Sequence, residues 1–496
     1  MTDHTLATSK AGSAPASPGG DVVDHSARNR LAISLLLVSA FVVILNETIM
    51  GVALPRLMAD LNITATVGHW LTTAFMLTVA VVIPVTGFLL QRYSTRGVFF
   101  SSMGLFSLGT LICAMAPGFG VLLIGRIVQA SGTAIMMPLL MTTIMTLVPP
   151  ATRGKTMGNI SIVMSVAPAI GPTISGLILS FFDWRWMFIF VLPIAIGALL
   201  LGAARMPNVT EPKKAPLDAP SVVLSAFAFS GLIYGLSSIA EAARGNELIP
   251  FWVPLGVGVL ALAGFVWRQI VLQRQDRALL DLRVFSTANF TVAMLLMAIA
   301  MASMFGTLIV LPIYLQTVLG LPPLTTGLVL LPGSLLMGLL GPIIGRIYDR
   351  RGPAPLLVPG AVIVSAALWM MTTYSGTTPV PFVVLVHVGL SAGLALMFTP
   401  LFTTALGSLR PQFYSHGSAV IGTGQQLAGA AGTALFITVL TAVTASTVAS
   451  GNTDAQAVEA GVRAAFLAGA IVSLFTILGG FFVRRPADSP AAPVLH

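Results

Sequence analysis

The chain has 496 residues, of which 56% are hydrophobic and only 8% are charged, and its mean hydropathy is +0.94. This composition excludes an ordinary soluble globular protein and is typical of an integral membrane protein. The formal net charge of +9 could suggest a nucleic-acid partner, so the positions of the basic residues must decide whether one is needed.

A membrane-spanning helix needs about 20 mostly apolar residues. The sequence predicts fourteen such helices, separated by short polar breaks or by breaks rich in proline and glycine. Residues 1–30 lack the apolar core of a cleaved signal peptide, and they are expected to form a disordered cytoplasmic tail. The predicted helices cover residues 31–53, 68–90, 97–117, 119–141, 156–180, 186–205, 220–240, 251–272, 287–316, 324–347, 354–374, 380–402, 418–446 and 462–483.

The first predicted helix contains ILNETIMGVALP at residues 44–55, which places Asn46 and Glu47 in a long apolar run. Glu47 is the one acidic residue within the predicted hydrocarbon region, and the others are expected in tails or loops. A carboxylate there costs about 2.5–3.5 kcal/mol on insertion scales, and burial favours its neutral form, so Glu47 is a candidate proton carrier. The alternative is a structural carboxylate near the outer interface that hydrogen-bonds Asn46 or Thr48 and never titrates.

Two later helices contain polar or small residues that call for an explanation. Arg126 is the one basic residue deep in a predicted helix, so it should face the protein interior and could bind backbone carbonyls of the first helix. In the fifth helix, Pro168 and Pro172 interrupt the backbone hydrogen bonding, while Gly171 and Gly176 let a neighbouring helix approach closely. Such a helix suits rocking movements.

Two charged segments divide the chain. RMPNVTEPKKAPLDAP follows the sixth predicted helix, and RQIVLQRQDRALLDLRVFSTANF follows the eighth. They define residues 206–284 as linkers with two inserted helices, between six-helix bundles at 31–205 and 285–483, and residues 484–496 form a second cytoplasmic tail. Two six-helix halves are typical of a transporter whose substrate site lies between them, near the bilayer midplane.

Each half carries a similar loop, GFLLQRYSTRG in the first and GRIYDRRG in the second. The first copy has Gln91 and Ser94, whereas the second keeps an acid at Asp349, so the two loops differ in charge. The first copy contains Gly87, Arg92 and Arg96, and the second contains Gly345, Asp349, Arg350 and Gly352.

The basic residues mark one face of the membrane. With a cytoplasmic N-terminus, twenty Lys and Arg residues fall on the cytoplasmic side, and only Arg56, Arg185, Arg244 and Arg463 fall on the other. With Arg126 inside a helix, these account for all 25 basic residues. The positive-inside rule therefore predicts that both termini are cytoplasmic. Topology explains the net charge, so no nucleic-acid partner is expected.

The sequence lacks the motifs that would indicate an ATP-driven pump or a membrane enzyme. An ATP-driven pump would need a G-x-x-x-x-G-K-[ST] sequence, and an enzyme would need a set such as H-E-x-x-H, G-x-S-x-G or a Cys/His metal cluster. The chain has none of these motifs, so neither an enzyme nor a cofactor or metal site is expected. A membrane sensor that transports nothing stays open as an alternative.

Six sequence motifs, in order, resemble the fourteen-helix drug:proton antiporters of the major facilitator superfamily, the EmrB and QacA type. The family's first-helix Asp aligns with Asn46, so the acid at Glu47 is displaced by one residue, which is about 100° around a helix. The motifs are LNETIMGVALP in the first helix, IGRIVQASGTAIMMP in the fourth, APAIGPTISG in the fifth, WRWMF at 184–188, LPIYLQTVLGLPPLTTGLVLLPG at 311–333 and GTGQQLAGAAGTAL at 422–435.

This resemblance implies a major facilitator fold and proton-coupled export of amphipathic drugs by alternating access, with a monomer in the plasma membrane as the functional unit. Export of an endogenous metabolite or lipid is the alternative within transport. The resemblance also implies that Arg126 tunes a proton site at Glu47, that the fifth-helix prolines and glycines form an antiporter motif, and that the residues named above in the two similar loops form a cytoplasmic gate. The polar residues expected to line the substrate cavity are Asn46, Tyr314, Gln316 and Gln425.

Overall fold

The computed structural model describes residues 26–208, 212, 217–242 and 249–486, and every regular element within these ranges is helical. Fourteen of the described helices are long and apolar enough to span a membrane, which confirms the predicted fold class. They are α1 Ser26–Leu61, α2 Ala65–Arg92, α3 Thr95–Ala114, α4 Phe119–Leu147, α5 Arg153–Phe181, α6 Arg185–Arg205, α7 Ala219–Ala242, α8 Trp252–Gln273, α9 Ala288–Ile313, α10 Pro323–Arg351, α11 Ala354–Met371, α12 Val380–Gly407, α13 Tyr414–Ala449 and α14 Asp454–Gly480.

Several helices extend beyond the predicted apolar spans because local capping starts them early. The hydroxyl of Thr453 accepts a hydrogen bond from the backbone of Gln456, whose side chain in turn accepts from the backbone of Thr453. This reciprocal capping starts α14 at Asp454, eight residues before the predicted span. The prediction that the acids other than Glu47 lie in tails or loops is therefore wrong in part. Five acids lie in the end regions of helices, namely Asp60, Glu241, Asp349, Asp454 and Glu459.

Some predictions concern residues that lie outside the described ranges. They include most of the predicted tails, at 1–25 and 487–496, and the lysines Lys213 and Lys214 of the first linker.

The helices form two groups with the same internal packing. In the first half, α1–α6, helix α3 packs on α4 and α6, and α1 packs on α5. In the second half, α9–α14, helix α11 packs on α12 and α14, and α9 packs on α13. The pairs correspond in order, so α2 corresponds to α10 and α5 to α13.

The two halves meet along two equivalent seams, α5 with α10 and α2 with α13. The inserted helices α7 and α8 pack on each other, and α7 also contacts both α2 and α13. The ring of Tyr234 in α7 stacks on Trp70 in α2, with 6.1 Å between the ring centroids. The insert therefore covers one of the two seams.

The insert is fixed at its base by an ion pair that joins its two helices. Asp218, just before α7, accepts two hydrogen bonds of 2.7 and 2.8 Å from the guanidinium of Arg268 in α8. These bonds, together with bonds from Ser221, hold the pKa of Asp218 well below its ordinary range. The side chain of Gln269 then bonds Ser221 and accepts from the backbone of Leu279, which ties the insert to the second linker.

We call the end of the bundle at which α1 begins and α14 ends the terminal face. Side-chain hydrogen bonds join the two halves on this side of the bundle. The hydroxyl groups of Thr142 and Ser418 lie 2.8 Å apart, and those of Ser161 and Thr399 lie 2.9 Å apart. Arg153 adds a bond of 3.3 Å to the hydroxyl of Tyr414. These bonds close the bundle on its terminal side.

Candidate functional site

A cavity of about 320 Å³ lies between the two halves. Helices α1, α2, α4 and α5 line it from the first half, and α9, α10, α12 and α13 line it from the second. Its wall is mostly apolar. Methionine contributes a large share, which provides a deformable surface suited to varied apolar ligands. The lining methionines are Met136, Met137, Met164, Met301, Met304 and Met337.

Glu47 lies on the wall of this cavity. Its neighbour Thr48 donates its hydroxyl to the backbone carbonyls of Ile44 and Leu45, at 3.3 and 2.9 Å. Thr48 is therefore not the hydrogen-bond donor that the structural alternative for Glu47 requires. Within the described part of the chain, Glu47 forms no ion pair. A carboxylate on an apolar wall is thus available to a proton or to a cationic ligand.

Asn46 does not line the cavity, contrary to the prediction. It is 3% exposed, and the oxygen of its side-chain amide has no hydrogen-bond partner among the described residues. Consecutive residues are about 100° apart around a helix. Glu47 and Thr48 share the cavity wall, and Asn46, on the other side of Glu47, lies outside the part of α1 that lines it. In this chain the acid, and not the aligned Asn, faces the cavity.

Arg126 is buried in α4, as predicted, with 1% of its surface exposed. Its partners differ from the expected carbonyls of the first helix. The guanidinium donates to the side-chain carbonyl of Gln129 at 2.7 Å and lies over the ring of Phe75 in α2, 4.1 Å from its centroid. Gln129 donates onward to Thr110 of α3 at 2.8 Å. Arg126 lies within electrostatic range of Glu47 without a direct ion pair.

Of the three predicted cavity residues in the second half, one lines the cavity and two lie outside it. Gln425 lines the cavity. Tyr314 is buried elsewhere, where it stacks on Tyr374 with 4.9 Å between centroids and donates its hydroxyl to the carbonyl of Ser375. Gln316 is exposed. A π-helical turn at Tyr314–Val318 ends α9 at the face opposite the terminal face, so both side chains lie beyond the cavity.

The predicted antiporter motif of α5 contributes to the site through two residues. Pro168 lines the cavity, and Gly171 packs on α1, where an added Cβ would lie 2.3 Å from the hydroxyl oxygen of Thr48. Gly176 was expected to allow a close helix approach, but an added Cβ there would meet no atom within 4 Å. The side chain of Pro172 lies outside what the structure describes. Close packing of α5 on α1 therefore depends on Gly171.

At the terminal face, α5 and α10 pack backbone to backbone through glycines. An added Cβ on Gly158 would lie 2.2 Å from the carbonyl oxygen of Gly341, and one on Gly345 would lie 2.1 Å from that of Gly154. Each helix has its two glycines four residues apart, a spacing that lets helices approach closely. The predicted gate residue Gly345 thus allows α5 and α10 to pack closely because it has no side chain.

Asp349 connects this packing to the start of α5. Its carboxylate accepts hydrogen bonds from the backbone N–H groups of Gly154 and Lys155, at 2.7 and 2.9 Å. Unpaired N–H groups at a helix start favour an anion, so Asp349 of the second half caps a helix of the first. Gly352 ends α10 with a φ of +78°, a conformation that favours glycine. Arg350 is exposed.

The first copy of the loop uses a neutral contact at the corresponding seam. The side-chain amide of Gln91 donates to the hydroxyl of Ser415, at the start of α13, over 3.1 Å. Gly87 faces the same helix, since its added Cβ would lie 3.4 Å from the carbonyl oxygen of Ser415. Ser94 caps α3, so a polar residue suits that position. Thus the two seams differ in charge.

The two arginines of the first copy lie within the first half. Arg92 is half-buried in the last turn of α2. Arg96 is exposed, donates its guanidinium to the carbonyl of Ala203 in α6, and lies 5.9 Å from the ring centroid of Phe100. Arg96 therefore ties α3 to α6, and it does not connect the two halves.

Six hydroxyl residues of the cavity wall were not predicted from the sequence, namely Thr48, Thr133, Ser165, Thr307, Ser334 and Ser391. Their signal is weak, because serine and threonine are common in membrane helices and bond their own backbone. His387 also lines the cavity. Among the described residues, no group of three or more His, Cys, Asp or Glu side chains is placed to hold a metal ion.

Comparison with known proteins identifies curated relatives over nearly the whole chain. The lincomycin resistance protein LmrB of Bacillus subtilis (strain 168) is 39% identical over 461 residues, which is 92% of this chain and 95% of that protein. The uncharacterized MFS-type transporter YcnB of the same organism is 38% identical over 455 residues, again 92% and 95%. The multidrug resistance protein B homolog of Mycobacterium tuberculosis (strain ATCC 25618 / H37Rv) is 30% identical, over 83% of this chain and 77% of that protein.

Two solved structures share the fold at low sequence identity. The proton:xylose symporter XylE has a TM-score of 0.64 at 14% identity, with 94% of this chain and 98% of that chain covered. The human organic anion transporter MFSD10 has a TM-score of 0.61 at 15% identity, with 91% of this chain and 99% of that chain covered. Residues 36–433 match the sequence family described as Major Facilitator Superfamily. With the full-length relatives and the shared fold, this match shows that the chain belongs to the Major Facilitator Superfamily.

Proposed function

We propose that this transporter is a proton-coupled antiporter that exports amphipathic small molecules across the cytoplasmic membrane. Membership of the superfamily makes the chain a membrane transporter and not an enzyme. The proposal adds the direction of transport, its coupling to protons and the class of substrate. Glu47 on the wall of the central apolar cavity is the observation that carries it.

Competition between a proton and the substrate for Glu47 explains how one is exchanged for the other across the membrane. A proton and a cationic substrate cannot both be held by one carboxylate, because either of them neutralises the charge that attracts the other. Proton binding therefore favours release of the substrate, and substrate binding favours release of the proton. When the cavity faces the two sides of the membrane in turn, this competition couples proton entry to substrate export.

Arg126 supports this role of Glu47 from a fixed position. Phe75 and Gln129 hold its guanidinium within electrostatic range of the carboxylate. A cation so placed stabilises the deprotonated carboxylate, which must form when the proton leaves. Because the two make no direct ion pair, Glu47 stays available to a cationic ligand.

The closed terminal face defines the state of the transporter in this structure. The positive-inside bias favours cytoplasmic termini, and in that orientation the closed face is the cytoplasmic one. The interhelical bonds and the α5–α10 glycine contacts then separate the cavity from the cytoplasm. Substrate loading from the cytoplasm requires these contacts to open, and the opposite face must close in exchange.

The cavity also limits the class of substrate. It holds one carboxylate in a mostly apolar wall, which suits a neutral or singly charged amphipathic molecule better than a divalent cation. Relatives at 39% and 30% identity are named for resistance to lincomycin and to multiple drugs. Drugs of these kinds are therefore the first compounds to test.

Transport by purified protein in proteoliposomes tests this function. With an imposed proton gradient, the wild type should export tetraphenylphosphonium or lincomycin, and Glu47→Gln should fail because the amide keeps the shape but cannot titrate. Asp60→Asn is the matched control, since it makes the same acid-to-amide change at an exposed position of α1. Gradient-driven export by Glu47→Gln at the rate of the control would refute proton coupling through this carboxylate.

A further inference from the structure

Polar atoms without a partner gather on the wall of the central cavity. In the second half these are the hydroxyl of Thr307, both ring nitrogens of His387 and the side-chain nitrogen of Gln425. The hydroxyl of Ser165 faces the cavity from the first half and also has no partner. Of the thirteen buried side-chain atoms without a hydrogen-bond partner in the described residues, these five line one cavity.

Other buried polar groups between these helices satisfy one another. The hydroxyls of Thr142 and Ser418 pair at 2.8 Å, and Tyr348 and Thr404 pair at 3.0 Å. Buried polar groups in proteins are nearly always hydrogen-bonded, because an unmet donor or acceptor loses its bond to water without compensation. A cluster of unmet groups around a cavity is therefore expected where a ligand supplies the missing partners.

The chemistry of these groups indicates the partner. A threonine hydroxyl both donates and accepts, the Gln425 amide nitrogen donates, and a neutral imidazole donates from one nitrogen and accepts at the other. A hydroxyl group matches such a mixed set because it also donates and accepts. A lipophilic cation such as tetraphenylphosphonium offers no hydrogen-bonding group.

We infer that Thr307, His387 and Gln425, here called the polar wall, bind hydroxyl groups of the substrate. The natural substrate is accordingly a hydroxylated amphipathic molecule with at most one positive charge, and not a purely lipophilic cation. This inference rests on the proposed function only in taking the central cavity as the substrate site. It adds a recognition element in the second half to the carboxylate in the first.

The backbone of α10 positions the imidazole of the polar wall. An added Cβ on Gly333 would lie 2.6 Å from the hydroxyl oxygen of Ser391, 2.7 Å from Cδ2 of His387 and 2.9 Å from its Nε2. The carbonyl of Leu330, one turn earlier, lies toward the same ring, although neither nitrogen makes a full hydrogen bond. Gly333→Ala should therefore displace the imidazole while leaving every group of the polar wall in the sequence.

Equilibrium binding to purified protein in lipid nanodiscs, where no proton gradient exists, tests the inference. The two probes are lincomycin, a hydroxylated monobasic amphiphile, and tetraphenylphosphonium. Thr307→Val and Gln425→Leu keep approximate shape but remove hydrogen-bonding capacity, and each should weaken lincomycin binding by about tenfold or more, as loss of a specific hydrogen bond does. Tetraphenylphosphonium binding should stay within about twofold. Gly333→Ala should show the same selective loss.

Thr444→Val is the matched control, because it also removes a buried hydroxyl without a partner among the described residues, but at a position that does not line the cavity. All variants are compared at equal monodispersity and thermal stability. Parallel loss of both probes, no change for either, or failure of the wild type to bind lincomycin would each overturn the inference. Failure of the proposed function is seen separately, as gradient-driven export that persists in Glu47→Gln.

Discussion

Gly158→Ala should open the terminal face of the transporter. The added Cβ would lie 2.2 Å from the carbonyl oxygen and 2.6 Å from the carbonyl carbon of Gly341, whereas ordinary contact begins at 3.4 Å. Both atoms belong to the backbone, so no side-chain rotation can relieve the overlap. Helices α5 and α10 must move apart by about 1 Å where they are closest.

The energetic consequence applies mainly to the closed state. Overpacking of a tight contact costs about 1–3 kcal/mol. When the terminal face opens, α5 and α10 separate near Gly158, so the open state escapes this cost. The ratio of open to closed molecules should therefore rise by about 5- to 150-fold.

Distances between spin labels on the terminal face measure this shift. Labels at Arg205, in the last turn of α6, and at Phe481, just after α14, report on the two halves from exposed positions. The native thiol in the described part of the chain, Cys113, is buried and should not compete for the label. In Gly158→Ala the population with longer distances should increase.

Gly176→Ala provides the matched control. It makes the same change in the same helix, at a glycine where an added Cβ meets no atom within 4 Å. Its distance distribution should match that of the wild type. If Gly158→Ala folds normally and also gives the wild-type distribution, then close α5–α10 packing does not hold this face closed, and the reasoning fails.

Three further predictions concern the proton site, the insert and the topology. Asn46→Asp should not restore gradient-driven export to Glu47→Gln, because Asn46 faces away from the cavity; restored export would show that the two positions are interchangeable. Asp218→Asn removes the ion pair with Arg268 and should destabilise the protein by about 1 kcal/mol at neutral pH. Because the folded state lowers the pKa of Asp218, this difference is present above pH about 4 and should shrink at more acidic pH, as thermal unfolding can measure. A reporter fused after His496 should prove cytoplasmic, and an external reporter would contradict the topology.

The sequence singled out the features that depend on local chemistry. Fourteen apolar spans and a single acid among them were enough to predict the fold class and to single out Glu47. The expectation that Asn46 lines the cavity does not match its position, and the helical period alone could not correct it, because the neighbours Glu47 and Thr48 do share the cavity wall.

Features that depend on neighbouring helices could not be predicted. Tyr314 and Gln316 miss the cavity because they lie beyond Leu308, the last residue of α9 that lines it, and apolar periodicity does not show at which depth a cavity lies. Gly171 and Gly176 look alike in the sequence, yet only Gly171 has another helix against it. The cap that Asp349 forms on α5 required the tertiary arrangement of both halves.

The contacts around α5 form a continuous path from the proposed proton site to the terminal face. Thr48, adjacent to Glu47, packs on Gly171 of α5, which places this helix in contact with the turn of α1 that carries the carboxylate. Toward its start, α5 is held to α10 by the Gly158 contact and by the charged cap from Asp349. At the equivalent α2–α13 seam, the corresponding contact is a single neutral bond from Gln91. Hydrogen bonds to a charged group are about twice as strong as neutral ones. We therefore expect the terminal face to open first at the α2–α13 seam, and the α5–α10 seam to separate last.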